Sequence, residues 1–221
     1  MEQKYLDRIN KISNGNARIA MMAGEIACDA NRIEEIIDVS NLYENYYGHV
    51  FDDLVLDLNK KLLISLGIIS FLNAIRLDFI DPILPFLQEE GITKDEFIEM
   101  IYLLHSNEIV DICNDKAAIL SDQCLANFVL KYLFCDKKII KLSSIVEACF
   151  NAYREKTIFS INTLLEIFQN DELIEYVKSE LLFLWKKLED EESEMFFDYL
   201  KAFFSVNEMK TLIKLNDMID K

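Results

Sequence analysis

The feature that most constrains the fold of this chain is its shortage of glycine and proline. Only 5 glycines and 2 prolines occur among 221 residues, of which 52% are hydrophobic. All-β folds built from many short strands need both residue types at their turns, whereas long helices joined by short connections need few of either. The hydrophobic share is also too high for a disordered chain. The sequence therefore predicts a mainly α-helical protein with a real core.

The first 60 residues predict a small helical domain. Apolar residues recur at helical spacing from Leu6 to Ile12 and stop at Ser13-Asn14-Gly15. Asn16 has the character of an N-cap, so a second helix is expected to start there. The apolar period resumes at Ile33 to Ile37, and a further helix is predicted from Tyr43 towards Asn59. We expect a compact helical unit over 1–60.

Three helices are predicted in the next segment. Leu62 to Ala74 is strongly apolar, and Pro82 fits the first turn of a second helix that Gly91 closes at its C-terminus. Thr93 and Glu96 have the spacing of a capping box, which marks the start of a third helix.

A short β-hairpin is predicted after these helices. Glu108–Cys113 and Ala117–Leu120 are partly β-branched runs on either side of an Asn-Asp-Lys turn, and Ser121-Asp122 then caps another helix. Three helices, a hairpin and a helix, in that order, predict a winged helix over 61–136. The third helix would occupy the recognition position.

The rest of the chain predicts an α-helical hairpin array. Apolar residues keep helical spacing over several segments, and polar stretches such as Asn170-Asp171 separate them. No repeat is strict enough to name a repeat type. The predicted helices are Ile140–Tyr153, Ile158–Gln169, Glu172–Leu188, Glu194–Phe204 and Glu208–Ile219. We therefore expect three domains: a helical domain at 1–60, a winged helix at 61–136 and a helical array at 137–221.

The net negative charge of the chain disfavours nucleic acid and anionic membranes as partners. The chain has 39 acidic and 23 basic residues, a net charge of −16. Such a surface repels nucleic-acid phosphates and anionic lipid unless its basic residues cluster, and no block of the sequence collects enough of them. The predicted recognition helix, Lys94–Glu108, carries four acids and one lysine, whereas base readout and phosphate contact need Arg, Lys, Asn or Gln. We expect neither nucleic acid nor membrane as a partner.

The cysteines and the apolar segments predict a cytoplasmic protein. The five cysteines have no C-x-x-C spacing and no accompanying histidine cluster, so buried free thiols are expected. The N-terminus has no apolar signal core. The longest apolar stretch, Leu62 to Leu87, contains Asn73, Arg76 and Asp81, which a bilayer-spanning helix tolerates badly.

No complete catalytic site is visible in the sequence. The two histidines, His49 and His105, have no cysteine or carboxylate at metal-ligand spacing. Neither a G-x-x-x-x-G-K-[ST] phosphate loop nor a G-x-S-x-G nucleophile elbow occurs. We predict no enzymatic activity, no metal and no cofactor for the chain on its own.

One short motif carries a functional hypothesis. Gly15-Asn16-Ala17-Arg18 places a glycine and a capping asparagine before an arginine in the first turn of a helix. A guanidinium there projects from the helix start, where the helix dipole already favours anions. Spacing alone favours the simpler interpretation, an ordinary loop-to-helix junction with a surface arginine.

The motif and the order of the elements resemble a known family. Gly15-Asn16-Ala17-Arg18, followed by an Ala/Met/Gly-rich helix, resembles the lid-domain motif of STAND-class P-loop NTPases, which are multidomain signalling ATPases related to AAA+ proteins. In that class a nucleotide-binding core precedes a helical lid, a winged helix and helical repeats, and this chain is similar to that order without the core. Leu120-Ser121-Asp122-Gln123 also resembles bacterial members, many of which have proposed antiviral roles.

The resemblance implies a role for each part. Gly15, Asn16 and Arg18 would form a nucleotide-sensing site, with Arg18 reaching towards the phosphates. ATP and Mg²⁺ would belong to a P-loop core elsewhere, in the same polypeptide or in a partner. The chain would then be a regulatory region that couples nucleotide state to binding of a ligand, a protein partner or another protomer. The alternative is a free-standing acidic helical adaptor that binds a protein partner without nucleotide, and a transcription regulator is opposed by the charge.

Overall fold

A computed structural model of the chain describes residues 3–30, 36, 38–48, 60–168, 170–206 and 208–219. Over these residues the protein is mainly α-helical with one small antiparallel sheet, which confirms the predicted fold class. The helices are α1 Gln3–Ser13, α2 Ala17–Ala30, α3 Val39–Tyr43, α4 Lys60–Leu72, α5 Leu84–Glu89, α6 Lys94–Ser106, α7 Gln123–Lys131, α8 Leu142–Phe150, α9 Arg154–Ile167, α10 Asp171–Asp190, α11 Phe196–Ala202 and α12 Glu208–Ile219. The strands are β1 Ala74–Arg76, β2 Val110–Cys113 and β3 Ala117–Leu120.

Helices α1 to α3 form the N-terminal part, which we call the lid together with the π-helical turn Glu44–Gly48 that continues α3. Helix α1 packs on α2. The Arg8 guanidinium donates to the Ile36 carbonyl at 3.0 and 2.6 Å, which ties α1 to the segment before α3. The predicted helical residues at 31–35, 37 and 49–59 lie outside the described part of the chain.

The middle of the chain is a winged helix by its order of elements and its sheet. Helix α4 is followed by β1, α5, α6, β2, β3 and α7, and the strand order is β1-β3-β2. Asp111 faces Ile119 in the β2–β3 hairpin, and the predicted Asn-Asp-Lys turn joins the two strands. The hairpin prediction is confirmed.

The sheet has a third strand that the sequence analysis did not predict. We expected helix from Leu62 to Ala74, but α4 ends at Leu72 and Ala74 begins β1, which pairs with β3. Asn73 lies between them with a φ of 58°. Asparagine adopts this left-handed conformation more readily than most residues, so it ends the helix and redirects the chain into the strand.

The predicted end of α5 and the predicted start of α6 are both confirmed. The Ile92 and Gly91 amides donate to the Leu87 and Gln88 carbonyls at 2.8 and 3.0 Å, which closes α5 with a glycine at a φ of 72°. Thr93 and Glu96 form the predicted capping box. Residues Phe97, Ile101 and Leu104 are buried, Met100 is half-buried, and Asp95, Glu99 and Glu108 are exposed.

Helix α4 lies at the centre of the fold. Every residue from Leu62 to Leu72 is buried, as expected of a helix that is apolar on all sides. It contacts α6, α7 and α9. Its few polar groups are paired, since Ser70 donates to the Ala126 carbonyl and Ser160 donates to the Phe71 carbonyl.

Helices α8 to α12 confirm the predicted helical array, at slightly different bounds. Helix α10 contacts α8, α9 and α11, and Asn170 caps its N-terminus through a 3.1 Å bond from the Leu173 amide. Buried residues from all three predicted segments, among them Met22, Phe97 and Leu164, belong to one continuous hydrophobic core. The division at 1–60, 61–136 and 137–221 stays a prediction. No helix in the described ranges is long and apolar enough to cross a membrane.

Candidate functional site

The turn between α1 and α2 holds the predicted nucleotide-sensing residues. Asn14 and Gly15 follow α1 with φ values of 43° and 82°, a left-handed backbone that these two residue types adopt most readily. Asn16 then caps α2 as predicted, because its Oδ1 accepts hydrogen bonds from the Arg18 amide at 3.0 Å and the Ile19 amide at 3.2 Å. The turn and the cap together fix Arg18 in the first turn of α2.

The Arg18 side chain is paired with Asp122 at the start of α7. Its Nε and Nη2 donate to Asp122 Oδ2 at 3.2 and 2.7 Å. The other carboxylate oxygen, Oδ1, accepts the Cys124 amide at 2.8 Å and so caps α7 as predicted. One carboxylate therefore joins the start of a lid helix to the start of the helix that follows the hairpin. The two motifs on which the resemblance was based are in direct contact.

The electrostatics of this pair keep both groups ionised. Burial acts to raise the pKa of Asp122, but hydrogen bonds from Arg18, the Cys124 amide and Tyr47 outweigh it and hold that pKa below its ordinary value. The hydrogen bond with Asp122 raises the pKa of Arg18. Hydrogen bonds between ionised partners are shorter and stronger than neutral ones, which agrees with the 2.7 Å separation.

Tyrosines of the lid surround the ion pair. The Tyr47 hydroxyl donates to Asp122 Oδ2 at 3.0 Å. Burial, followed by the nearby Asp122 charge, raises the pKa of Tyr47, so its hydroxyl stays a donor. The Tyr46 ring centroid lies 5.9 Å from Arg18 Cζ, and the Tyr47 ring lies 5.6 Å from that of Phe128 on α7. The aromatic rings hold the lid against α7 next to the charged contact.

A second charged contact joins the lid to the other end of α7. Lys131 Nζ lies 2.6 Å from Asp136 and 3.2 Å from Glu44 of the lid. Burial acts to lower the pKa of Lys131, but the two carboxylates outweigh it and the net direction is upward. Lys131 lies about 14 Å from Asp122 along the axis, at the normal rise of an α-helix. Helix α7 is therefore bound to the lid by an ion pair near each end.

A cleft of about 1050 Å³ opens beside the motif, between the lid and the C-terminal end of α9. Asn16 and Ile19 reach its wall, and Tyr43 and Phe168, whose ring centroids are 5.9 Å apart, also line it. Its charged lining consists of Lys4, Arg8, Lys11, Asp7, Asp38 and Glu166. Because acids and bases are equal in number, the formal charges of the lining cancel.

The histidines do not form a site in the described part of the chain. His105 Nδ1 lies 2.8 Å from the Val110 carbonyl oxygen, a contact that orients its ring at the end of α6. His49 lies outside the described residues. Within those residues no three His, Cys, Asp or Glu side chains are grouped in a way that could hold a metal ion.

The expectation of buried thiols holds for three of the five cysteines. Cys124, Cys135 and Cys149 are buried, and burial raises the pKa of Cys135 and of Cys149 to about 12, which suppresses thiolate chemistry. Cys28 and Cys113 are exposed, contrary to the expectation. Cys28 is near the end of α2, and Cys113 ends β2 on its outward face, so neither position points into the core.

The comparisons with known proteins add no relative. No family model, no curated protein and no solved structure matches the chain. The resemblance to STAND-class NTPases and the nucleotide-sensing role of Gly15, Asn16 and Arg18 stay predictions.

Proposed function

We propose that the chain is the non-catalytic regulatory region of a STAND-type signalling NTPase, acting in the cytoplasm in bacterial defence. It would couple the nucleotide state of a P-loop core to the helical array, which binds a protein partner or another protomer. The observation that supports this most is the Arg18–Asp122 ion pair. The arginine suited to read a phosphate is also the residue that ties the lid to the winged helix.

The coupling follows from competition for one guanidinium. The Arg18 side chain is 42% exposed although it is paired, so an incoming phosphate has access to it. A guanidinium binds carboxylate and phosphate with the same planar fork of donors. A phosphate that takes Arg18 would leave Asp122 with its Cys124 and Tyr47 contacts only, and the lid would lose a contact with α7.

ATP and Mg²⁺ enter this function only with a P-loop core, in the same polypeptide or in a partner. The chain contributes a single arginine and a helix start towards a phosphate, whereas tight nucleotide binding needs a loop of backbone amides and a lysine.

The test uses the native polypeptide or complex that carries this chain, isolated through a tag on it. Hydrogen–deuterium exchange at residues 17–21 and 121–126 is compared with ADP·Mg²⁺ and with ATP·Mg²⁺ bound. We expect the two nucleotides to give different exchange in the wild type and the same exchange in Arg18→Ala. Arg76→Ala is the matched control, because Arg76, the last residue of β1, is an exposed arginine paired with Asp78.

If hydrogen–deuterium exchange in the wild type is the same with ADP·Mg²⁺ and with ATP·Mg²⁺, the result favours the alternative, an acidic helical adaptor that binds a protein partner. Its support is the outer face of α6, where Tyr102 and Leu103 are 47% and 45% exposed next to the acids Asp95 and Glu99. If the wild type carries no nucleotide-binding partner, or if Arg18→Ala responds to nucleotide as the wild type does, the regulatory proposal is wrong.

A further inference from the structure

Helix α12, at the end of the helical array, turns an apolar face to solvent. Met209, Leu212 and Ile213 share one side of this helix and are 69%, 53% and 55% exposed. Thr211, on the opposite side, is buried against the rest of the array. Apolar residues at helical spacing normally face a core, so a stripe of them in water is typical of an interaction surface.

A groove of about 460 Å³ runs between α10 and α12 next to this face. Leu182 and Trp185 line it from α10, and Ile213 lines it from α12. Trp185 Nε1 donates to Glu189 Oε2 at 3.2 Å, and Glu189 Oε1 accepts a hydrogen bond from Lys214 of α12. These two bonds hold the indole in place and tie the two helices together. A fixed tryptophan in a concave apolar site is the kind of residue that contributes most to binding at protein interfaces.

The charge around the groove is negative. Its lining has two acids and two lysines, which are Glu189, Asp190, Lys186 and Lys214. The next lysine, Lys187, is already paired with Glu147. The turn after α10 adds three further exposed acids that form no ion pair within the described residues, namely Glu191, Glu192 and Glu194. A partner with basic residues beside its apolar anchors would therefore be complementary to this site.

We infer that the groove between α10 and α12 is a docking site for a basic amphipathic helix of a partner protein. The apolar side of that helix would cover Trp185, Leu212 and Ile213, and its lysines or arginines would face the acidic turn at 190–194. A second copy of this chain fits the site less well, because each copy has a net charge of −16 and the two repel each other. The inference rests on the proposed function only in that the array binds a protein partner.

The first test uses Trp185 as the reporter, because it is the only tryptophan of the chain. The probe is a synthetic helical peptide of Leu, Lys and Ala, about five turns or roughly 18 residues long, with Leu along one face and Lys beside it. Titration should give a saturable change in Trp185 emission, and binding should weaken as salt is added. A matched peptide with Glu at every Lys position should bind at least about tenfold more weakly, because like charges then meet at the acidic turn.

The second test changes the apolar face. Leu212→Glu places a charge on this face and should weaken binding of the lysine peptide by about tenfold or more. Leu6→Glu is the matched control, because Leu6 is an exposed leucine of α1, 47% exposed against 53% for Leu212. It should bind the peptide as the wild type does. Both leucines are exposed, so both variants should keep the circular dichroism of the wild type.

The third test changes the acidic turn. Neutralising its three acids together should weaken binding of the lysine peptide and reduce its dependence on salt, the changes being Glu191→Gln, Glu192→Gln and Glu194→Gln. The control removes the same total charge from exposed acids elsewhere and should leave the affinity near that of the wild type, the changes being Asp111→Asn, Asp115→Asn and Glu155→Gln.

Three outcomes would overturn the inference. The first is an emission change that does not saturate or is equal for the two peptides, and the second is wild-type binding by Leu212→Glu. The third is a dimer in sedimentation that Leu212→Glu dissociates, because a second copy would then occupy the groove. No nucleotide enters these measurements, so their failure is distinct from failure of the coupling through Arg18.

Discussion

Two glycines in helices offer a matched test of how tightly the centre of this fold is packed. Gly24 lies within α2 and Gly67 within α4. A Cβ atom built on Gly24 meets no atom within 4 Å. One built on Gly67 collides with Cδ1 of Ile140 and approaches Cδ1 of Leu133 to 3.2 Å. Both neighbours are fully buried, so they have little room to move.

The same substitution is expected to have opposite effects at the two positions. Alanine in place of glycine stabilises a helix interior by about 0.5–1 kcal/mol, and Gly24→Ala should gain this in full. Gly67→Ala gains the same helix term, but overpacking a close-packed core costs about 1–3 kcal/mol. The net result at Gly67 is a loss of about 0–2.5 kcal/mol. The difference between the two variants, about 1–3 kcal/mol, isolates the packing term because the helix term cancels.

Urea unfolding followed by circular dichroism measures this difference. Gly24→Ala should raise the midpoint and Gly67→Ala should lower it or leave it near the wild type, each with an unchanged slope. If both variants gain the same stability, Ile140 does not pack against Gly67 as closely as described. The segment after α7 would then not pack tightly on the central helix α4.

Three further predictions follow from the winged helix and the motif. Phe97→Ala should cost about 3–5 kcal/mol of unfolding free energy because Phe97 is fully buried, while the exposed Glu99→Lys should stay within about 0.5 kcal/mol, and the same urea assay decides between them. Random duplex DNA should give no mobility shift near physiological salt, because the exposed face of α6 is acidic; a salt-dependent shift would contradict this. Calorimetry with ATP·Mg²⁺ on the chain alone should show no saturable micromolar binding and no hydrolysis, because the sequence has no phosphate-binding loop. A micromolar dissociation constant would contradict this prediction.

Local signals account for most of the fold that could be predicted. Caps and closures are interactions between residues a few positions apart, so Asn16, Thr93 and Asp122 could be read as helix starts without knowledge of the fold. The hairpin was predictable for the same reason, since its turn lies between two short strands. Strand β1 was missed because it has three residues and follows an apolar helix, and only its pairing with β3, more than forty positions away, makes it a strand.

In the candidate site, too, local features could be predicted from the sequence and long-range contacts could not. The sequence by itself determined that Arg18 stands in the first turn of a helix and that Asp122 caps another, because each depends on its neighbours in the chain. That the two form one ion pair was decided only by the tertiary structure, across 104 positions. No periodicity relates residues so far apart, and their meeting depends on the packing of the lid against α7. The pairing of the buried Lys131 with the lid was decided in the same way, since its partner Glu44 lies 87 positions away.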